Sequence, residues 1–270
     1  MRFPPVGRCV YCGSTDQLSD EHIVPISLGG DIVLPNSSCE NCRLITSRFE
    51  QVVARDMLWR ARLKLKIPGN RKRKNKKRTH WPMLTIGPGD IEQTKNIPVG
   101  DIPLVMSIVK MPPPGIISGR PPSEIPTLQI RVGSSPSEIA KFQNDYQATP
   151  RFEMQHNQLE FNQTLAKIGH CAVAAVVGLD GYEPLLIPFI KGERTYENSY
   201  YYIGGISSDD EVLKDNQLIG VTTVEHNNEK FVVSRVTIFG KGLQPTYLVI
   251  VGRVTDRTLV SKRLNLAAPP

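Results

Sequence analysis

Four of the five cysteines fall in two Cys-x2-Cys pairs, Cys9/Cys12 and Cys39/Cys42, inside the first 42 residues. A Cys-x2-Cys turn aims both thiolates at one ion, and two such turns complete the tetrahedral shell of a zinc ion. Four thiolates leave no position for water or substrate, so the expected Zn2+ is structural and any chemistry must come from other residues. A module of about 60 residues has a marginal core, and metal binding adds the folding energy it lacks. Two disulfides are the competing use of four cysteines. Met1 to Arg8 contain no apolar signal core, so a cytoplasmic setting is expected, where disulfides are rare. The fifth cysteine, Cys171, lies in the apolar stretch Cys171-Ala172-Val173-Ala174 and reads as a buried thiol.

The 26 residues between the two pairs exceed the usual gap of a zinc ribbon and read as an insertion. They hold Asp20-Glu21-His22-Ile23-Val24-Pro25, then Gly29-Gly30, then Asn36 shortly before Cys39. Cutting a phosphodiester needs an activated water, relief of charge on the phosphate and stabilisation of the leaving oxygen. A histidine, with an unperturbed pKa of about 6.5, suits the first task. A divalent ion held by a carboxylate such as Glu21 suits the other two. Asn36 can fix the loop carrying His22 through hydrogen bonds, and Gly29-Gly30 lets the chain turn tightly between strands.

In this order, and interleaved with the zinc ligands, these residues resemble the HNH endonuclease family. The resemblance covers about residues 7–50. It implies a ββα-metal fold, in which two short strands and a helix surround one catalytic divalent ion, Mg2+ or Mn2+. The family's acidic–His pair falls on Glu21 and His22, and its central Asn on Asn36. The family's helix normally supplies a further ligand directly after the last cysteine. This chain has Arg43 there, which cannot bind a metal. The nearby donors are Asn41, Thr46 and Glu50. Thr46 and Glu50 are four residues apart and share a helix face, so they are the expected substitutes, completing a cation site with Glu21. The function implied is a metal-dependent endonuclease acting on DNA with His22 as general base. The alternative is a zinc-containing module that grips nucleic acid without cutting it, the ligand at Arg43 having been lost.

These residues need a scaffold and a substrate-attracting surface. The 270-residue chain carries a formal net charge of +7, unevenly spread: residues 1–81 hold 16 Lys and Arg against 7 Asp and Glu, and the remainder 17 against 19. A positive field confined to the first third is the footprint of polyanion binding, so nucleic acid is the expected partner. No run of 18 apolar residues suggests a membrane span. Oligomeric state is left open. Residues 51–66 place Val52, Val53, Leu58, Leu63 and Leu65 among basic residues, the pattern of a helix with one cationic face, starting near Arg43 and stopped by Pro68-Gly69. Residues 70–78, NRKRKNKKR, cannot bury anything and read as a cationic arm.

Further along, strands are expected over 102–110 and 127–132, and a helix from Pro136 to Tyr146 with Ser135 as N-cap. A long helix is expected over 157–178, where Phe161, Leu165, Ile168, Ala172 and Val176 recur at spacings of three and four. Strands follow over 184–190, 199–203, 218–225, 230–239 and 246–254, with a hairpin turn at Asn227-Asn228. The expected fold is therefore α+β. An N-terminal HNH nuclease module with a structural zinc (1–67) precedes a basic linker or arm (68–81) and a larger α+β domain with an antiparallel sheet (82–270). Around Ala166-Lys167-Ile168, Tyr202-Ile203-Gly204-Gly205 and Pro245-Thr246-Tyr247 the second half also resembles the companion region of some bacterial HNH proteins. That resemblance implies no recognised chemistry.

Overall fold

The computed structural model describes residues 1–67, 79–206, 217–239, 245–255 and 264–267. The cationic arm of 70–78 lies outside the described residues. The fold is α+β, with antiparallel pairing between the strands of every sheet. It opens with a two-stranded ribbon, β1 (Leu18–His22) and β2 (Val33–Cys39), and α1 (Glu40–Val52) follows β2 without a break. The Gly29-Gly30 pair in the connection is a steric necessity. Gly29 has φ +89°, and a Cβ on Gly30 would fall 1.9 Å from the Val24 carbonyl oxygen.

The cationic helix expected to run through to residue 66 is broken in two. After α1 the chain takes a π-helical turn, Val53–Met57, leaves helical geometry at Leu58 (φ −113°, ψ 10°) and resumes as α2 (Trp59–Lys64). The Arg62 guanidinium donates to the Ala54 carbonyl at 2.9 Å, satisfying an acceptor in the altered turn. Apolar periodicity reports a helix face but is insensitive to one added residue in the winding.

Two hairpins and a helix come next. β3 (His80–Ile86) and β4 (Glu92–Pro98) pair along their whole length, and neither was expected, because prolines and glycines break up the region. β5 (Val105–Lys110) pairs with β6 (Gln129–Ser134) across a single helical turn, α3 (Gly115–Ser118). α4 (Pro136–Tyr146) starts where expected, but the Ser135 hydroxyl meets that of Ser137 and makes no cap hydrogen bond to the backbone. β7 (Thr149–Pro150) joins β3 only at Thr85 and Ile86. Pro82 is tolerated within β3 because β7 does not reach it.

The longest helix, α5 (Gln158–Val177), falls within a residue of its expected ends. It packs against a six-stranded sheet built from β8 (Tyr182–Pro184), β9 (Ile203–Gly205), β10 (Gln217–His226), β11 (Glu229–Val236), β12 (Tyr247–Val254) and β13 (Leu264–Ala267). The order is β13-β10-β11-β12, with β8 and β9 both pairing to β12. Asn227 and Asn228 both have positive φ, 50° and 62°, as a two-residue hairpin requires. Two expected strands need correction. Residues 184–190 are the end of β8 followed by a helical turn, α6 (Ile187–Ile190), whose Pro188 occupies a first-turn position suited to proline. Residues 199–203 are a second turn, α7 (Ser199–Tyr202), running into β9; such short apolar runs do not distinguish helix from strand.

Every residue of α5 from Phe161 to Ala174 is buried. One side meets the sheet so closely that a Cβ on Gly169 would lie 2.8 Å from Val249 Cγ1 and 3.4 Å from Ser234 Cβ. The other meets the N-terminal ribbon and α1, so the hydrophobic core does not stop at residue 67. Tyr11, Leu34, Phe49 and Met57 belong to the same buried cluster as Leu165, Ile168, Tyr247 and Val249. No helix of the described residues is long and apolar enough to cross a membrane.

Gly169→Ala tests the helix–sheet contact. Helix propensity favours alanine by about 1 kcal/mol, whereas overpacking costs about 1–3 kcal/mol, and Val249 is too short and stiff to swing aside. The variant is expected to be less stable than the parent in denaturant titration. A gain in stability would show that the helix stands further from the sheet.

Candidate active site

The zinc ligands sit on two turns of different construction. In the first, Cys9 accepts from the Gly13 amide at 2.9 Å and donates to the Ser14 carbonyl at 2.7 Å, and Gly13 supplies the left-handed φ of +76° that closes the knuckle. In the second, Cys39 is the N-cap of α1 and Cys42 lies in its first turn, where free amides and the helix dipole favour thiolates. The four Sγ atoms lie within 4.8 Å of one another, and those of Cys12 and Cys39 are 3.6 Å apart. A tetrahedral shell with Zn–S bonds of about 2.3 Å has edges of about 3.8 Å, so the cluster fits a structural zinc ion. None of the five cysteines is in a disulfide, and Cys171 is buried with its Sγ 3.2 Å from the Tyr11 hydroxyl.

Beside the zinc knuckles opens a cleft of about 980 Å3. β1 contributes Asp20, Glu21 and His22 to its lining. α1 contributes Arg43, Thr46, Ser47, Glu50 and Gln51, and Ala54, Arg55 and Arg62 continue the same wall. The spacings of three and four along α1 place one helix face against the cleft. His22 is the last residue of β1 and is half-buried. Burial, reinforced by the nearby Lys167 charge, pushes its pKa below the ordinary histidine value, which favours the neutral form that a base must have.

The expected site residues thus divide. Glu21, His22, Thr46 and Glu50 converge on the cleft; Asn36 does not line it. Asn36 occupies an irregularity in β2, opposite Asp20, with φ +48°. Its side chain is exposed, and its backbone amide donates to Asp20 Oδ1 at 3.3 Å. Asparagine tolerates this left-handed conformation better than most residues, so Asn36 shapes the backbone beside His22 and reaches the site only through Asp20. Thr46 is buried and its hydroxyl donates to the Arg43 carbonyl at 3.2 Å. Arg43 forks onto Glu40 at the rim, with contacts of 2.9 and 2.6 Å.

The residue that sequence reasoning missed is Lys167, from the middle of α5. Its side chain has no exposed surface, and its Nζ lies 2.9 Å from Glu21 Oε1 and 2.9 Å from Glu50 Oε1. It also donates to the His22 carbonyl and, at 3.4 Å, to the Ile23 carbonyl. Burial alone would lower the lysine pKa; the two carboxylates outweigh it and hold the ammonium protonated well above neutral pH. One signal was available, a lysine inside an otherwise apolar helical stretch, since lysine is almost never fully buried without a partner.

This pairing bears on the catalytic divalent ion implied by the family. An ion ligated by Glu21 Oε1 or Glu50 Oε1 at about 2.1 Å would stand no further than about 5 Å from the Lys167 nitrogen. Repulsion between a dication and an ammonium at that distance is on the order of 6–7 kcal/mol at an effective dielectric of about 20. With the ammonium 2.9 Å from both Oε1 atoms, the residues present do not fit a divalent ion bridging those two oxygens. Among the described residues, the four cysteines are the only group of three or more His, Cys, Asp or Glu side chains placed to hold a metal ion.

A strand–strand–helix unit with one cysteine pair ahead of its first strand, the other at its strand–helix junction, and an acidic–His pair on the first strand defines a small zinc-stabilised ββα module. Residues 9–51 match the family model described as HNH endonuclease. The match covers less than a fifth of the chain and gives this segment a nuclease-type function, with nucleic acid as the substrate class. Comparison with curated proteins and with solved structures returned no match.

Elemental analysis is expected to find one zinc per chain, and Cys42→Ser to lose it. Because the knuckles share a core with α5, the loss should lower the unfolding midpoint of the whole chain in a single transition. Two separated transitions, with the later one unmoved, would show that the core is not shared.

Proposed function

We propose that the cleft hydrolyses phosphodiester bonds in nucleic acid, DNA in particular, with His22 as the general base. The observation that carries this reading is the placement of a half-buried, neutral-favouring histidine in a cleft also lined by Arg43, Arg55 and Arg62, within a segment that matches the HNH endonuclease model. Guanidinium groups recognise phosphate by charge-assisted and often bidentate hydrogen bonds. A water deprotonated by the His22 ring would attack the phosphorus of a phosphate held by them; the P–O bond to the leaving oxygen breaks, and that oxygen takes up a proton from solvent. Glu21 serves by anchoring the ammonium of Lys167, which in turn grips the His22 carbonyl and fixes the end of β1. The expected Mg2+ or Mn2+ at Glu21, Thr46 and Glu50 has no part in this proposal, because Lys167 takes up that position.

That same occupancy favours a second reading, a zinc-containing module that binds nucleic acid without cutting it. The two separate in a nicking assay on supercoiled plasmid with zinc-loaded protein, run with and without added Mg2+ or Mn2+. On the first reading, His22→Ala cuts the rate about 10²–10⁴-fold and leaves zinc content, folding and DNA binding intact. Inactive wild-type protein under every metal condition would favour the second, and full activity in His22→Ala would defeat the mechanism. Binding itself is expected to draw on the basic arm. Replacing Arg71, Lys72, Arg73 and Lys74 together should weaken binding to all sequences and flatten its salt dependence; an unchanged salt slope would reduce the arm to a linker.

A further inference from the structure

We propose that the Lys167 ammonium is the resident cation of the cleft, delivered by α5 into the space between Glu21 and Glu50, so that the intact chain holds no divalent ion there. The inference takes from the nuclease reading only the location at which an ion would be expected. It rests on the geometry of one side chain. A lysine fully withdrawn from solvent, 145 residues away from His22 in sequence, ends midway between the carboxylates of β1 and α1 and on the carbonyls that close β1.

Alternative accounts of Lys167 fit less well. A lysine serving only to neutralise one stray glutamate would need one carboxylate partner; this one has two, from different elements, both lining the cleft. A lysine placed by packing alone would not reach past the apolar part of the helix to strand-end carbonyls. Glu21 Oε2 and Glu50 Oε1 are both buried without a hydrogen-bond partner, the second meeting Lys167 as an ion pair at 2.9 Å. The pair is therefore not saturated by hydrogen bonds, and the ammonium offsets one of its two negative charges while touching an oxygen of each carboxylate. A divalent ion on the two Oε1 atoms would stand within about 5 Å of the ammonium and be repelled by it. In exchange for a removable ion the protein has a cation fixed covalently to the helix that joins both halves of its core.

The prediction concerns ion occupancy, so it is tested apart from cleavage. Full-length, zinc-loaded protein is titrated with Mn2+, and free Mn2+ is read by electron paramagnetic resonance. Wild-type protein is expected to take up none beyond the background of surface carboxylates. Lys167→Ala, or Lys167→Met to retain the stem, is expected to gain one Mn2+ per chain, and that site should vanish again when Glu21→Gln and Glu50→Gln are added. Mn2+ should also raise the unfolding midpoint of the lysine variants without moving that of the wild type. A wild-type site for Mn2+ that Glu21→Gln abolishes would overturn the proposal, as would folded lysine variants that bind no ion. If neither variant folds with or without Mn2+, the wild-type titration decides by itself, absence of the site supporting the proposal and its presence overturning it. An inactive wild-type protein in the plasmid assay would defeat the nuclease reading while leaving these outcomes as they stand.

Discussion

Lys167 reaches from the centre of a buried helix to two glutamates near the other end of the chain, and three elements converge on its ammonium. Withdrawing three charges from water is costly, and an apolar trio of similar volume could match or exceed the stability of such a triad. Removing one member is another matter: an uncompensated buried charge costs about 3–5 kcal/mol. The triad therefore acts less as glue than as a requirement that β1, α1 and α5 adopt one mutual arrangement. The cleft wall depends on that arrangement, since Glu21 and His22 are neighbours on β1 and Glu50 shares its helix face with Arg43 and Thr46.

α5 meets the requirement by serving two surfaces at once. Gly169 lets it press against β11 and β12, while Lys167, His170 and Cys171 face the N-terminal module. His170 Nε2 lies 2.8 Å from the Val10 carbonyl, and its ring packs 5.8 Å from that of Tyr11. Burial lowers the His170 pKa, so the neutral ring donates to that carbonyl. Spacings of three and four residues set these contacts on one stripe of the helix. The zinc knuckle between Cys9 and Cys12 is thus held from inside by the thiolate turns and from outside by a helix of the second half.

Much of this was legible in the residues. Cys9, Cys12, Cys39 and Cys42 announce their zinc site by spacing alone, because a two-residue gap has few conformations that serve both thiols. The 3.6-residue rhythm of Phe161, Leu165, Ile168 and Ala172 placed α5 almost to the residue. The failures have equally local causes. The β3–β4 hairpin was hidden by Pro82 and Pro98, whose cost depends on which strand edge they occupy. The π turn at Val53–Met57 preserves the apolar face that reveals a helix while changing its path. Asn36 carried the family's pattern in sequence, yet its conformation turns its side chain away from the cleft. Lys167 could be flagged as anomalous in its helix, but its partners lie more than a hundred residues away, and no spacing rule connects them.

The span of that contact has a consequence for the order of events when the chain is made. A zinc knuckle and a β1–β2 ribbon need only the first 42 residues, and local contacts of this kind form early. Glu21 and Glu50, however, wait for a countercharge that is encoded 146 and 117 positions later. Until α5 is synthesised and docked, the nascent module presents two acidic side chains beside His22 where the finished protein has a pair bridged by an ammonium. Completion of the cleft is thereby tied to completion of the helix that anchors the sheet, and a chain interrupted before residue 167 lacks the assembled site.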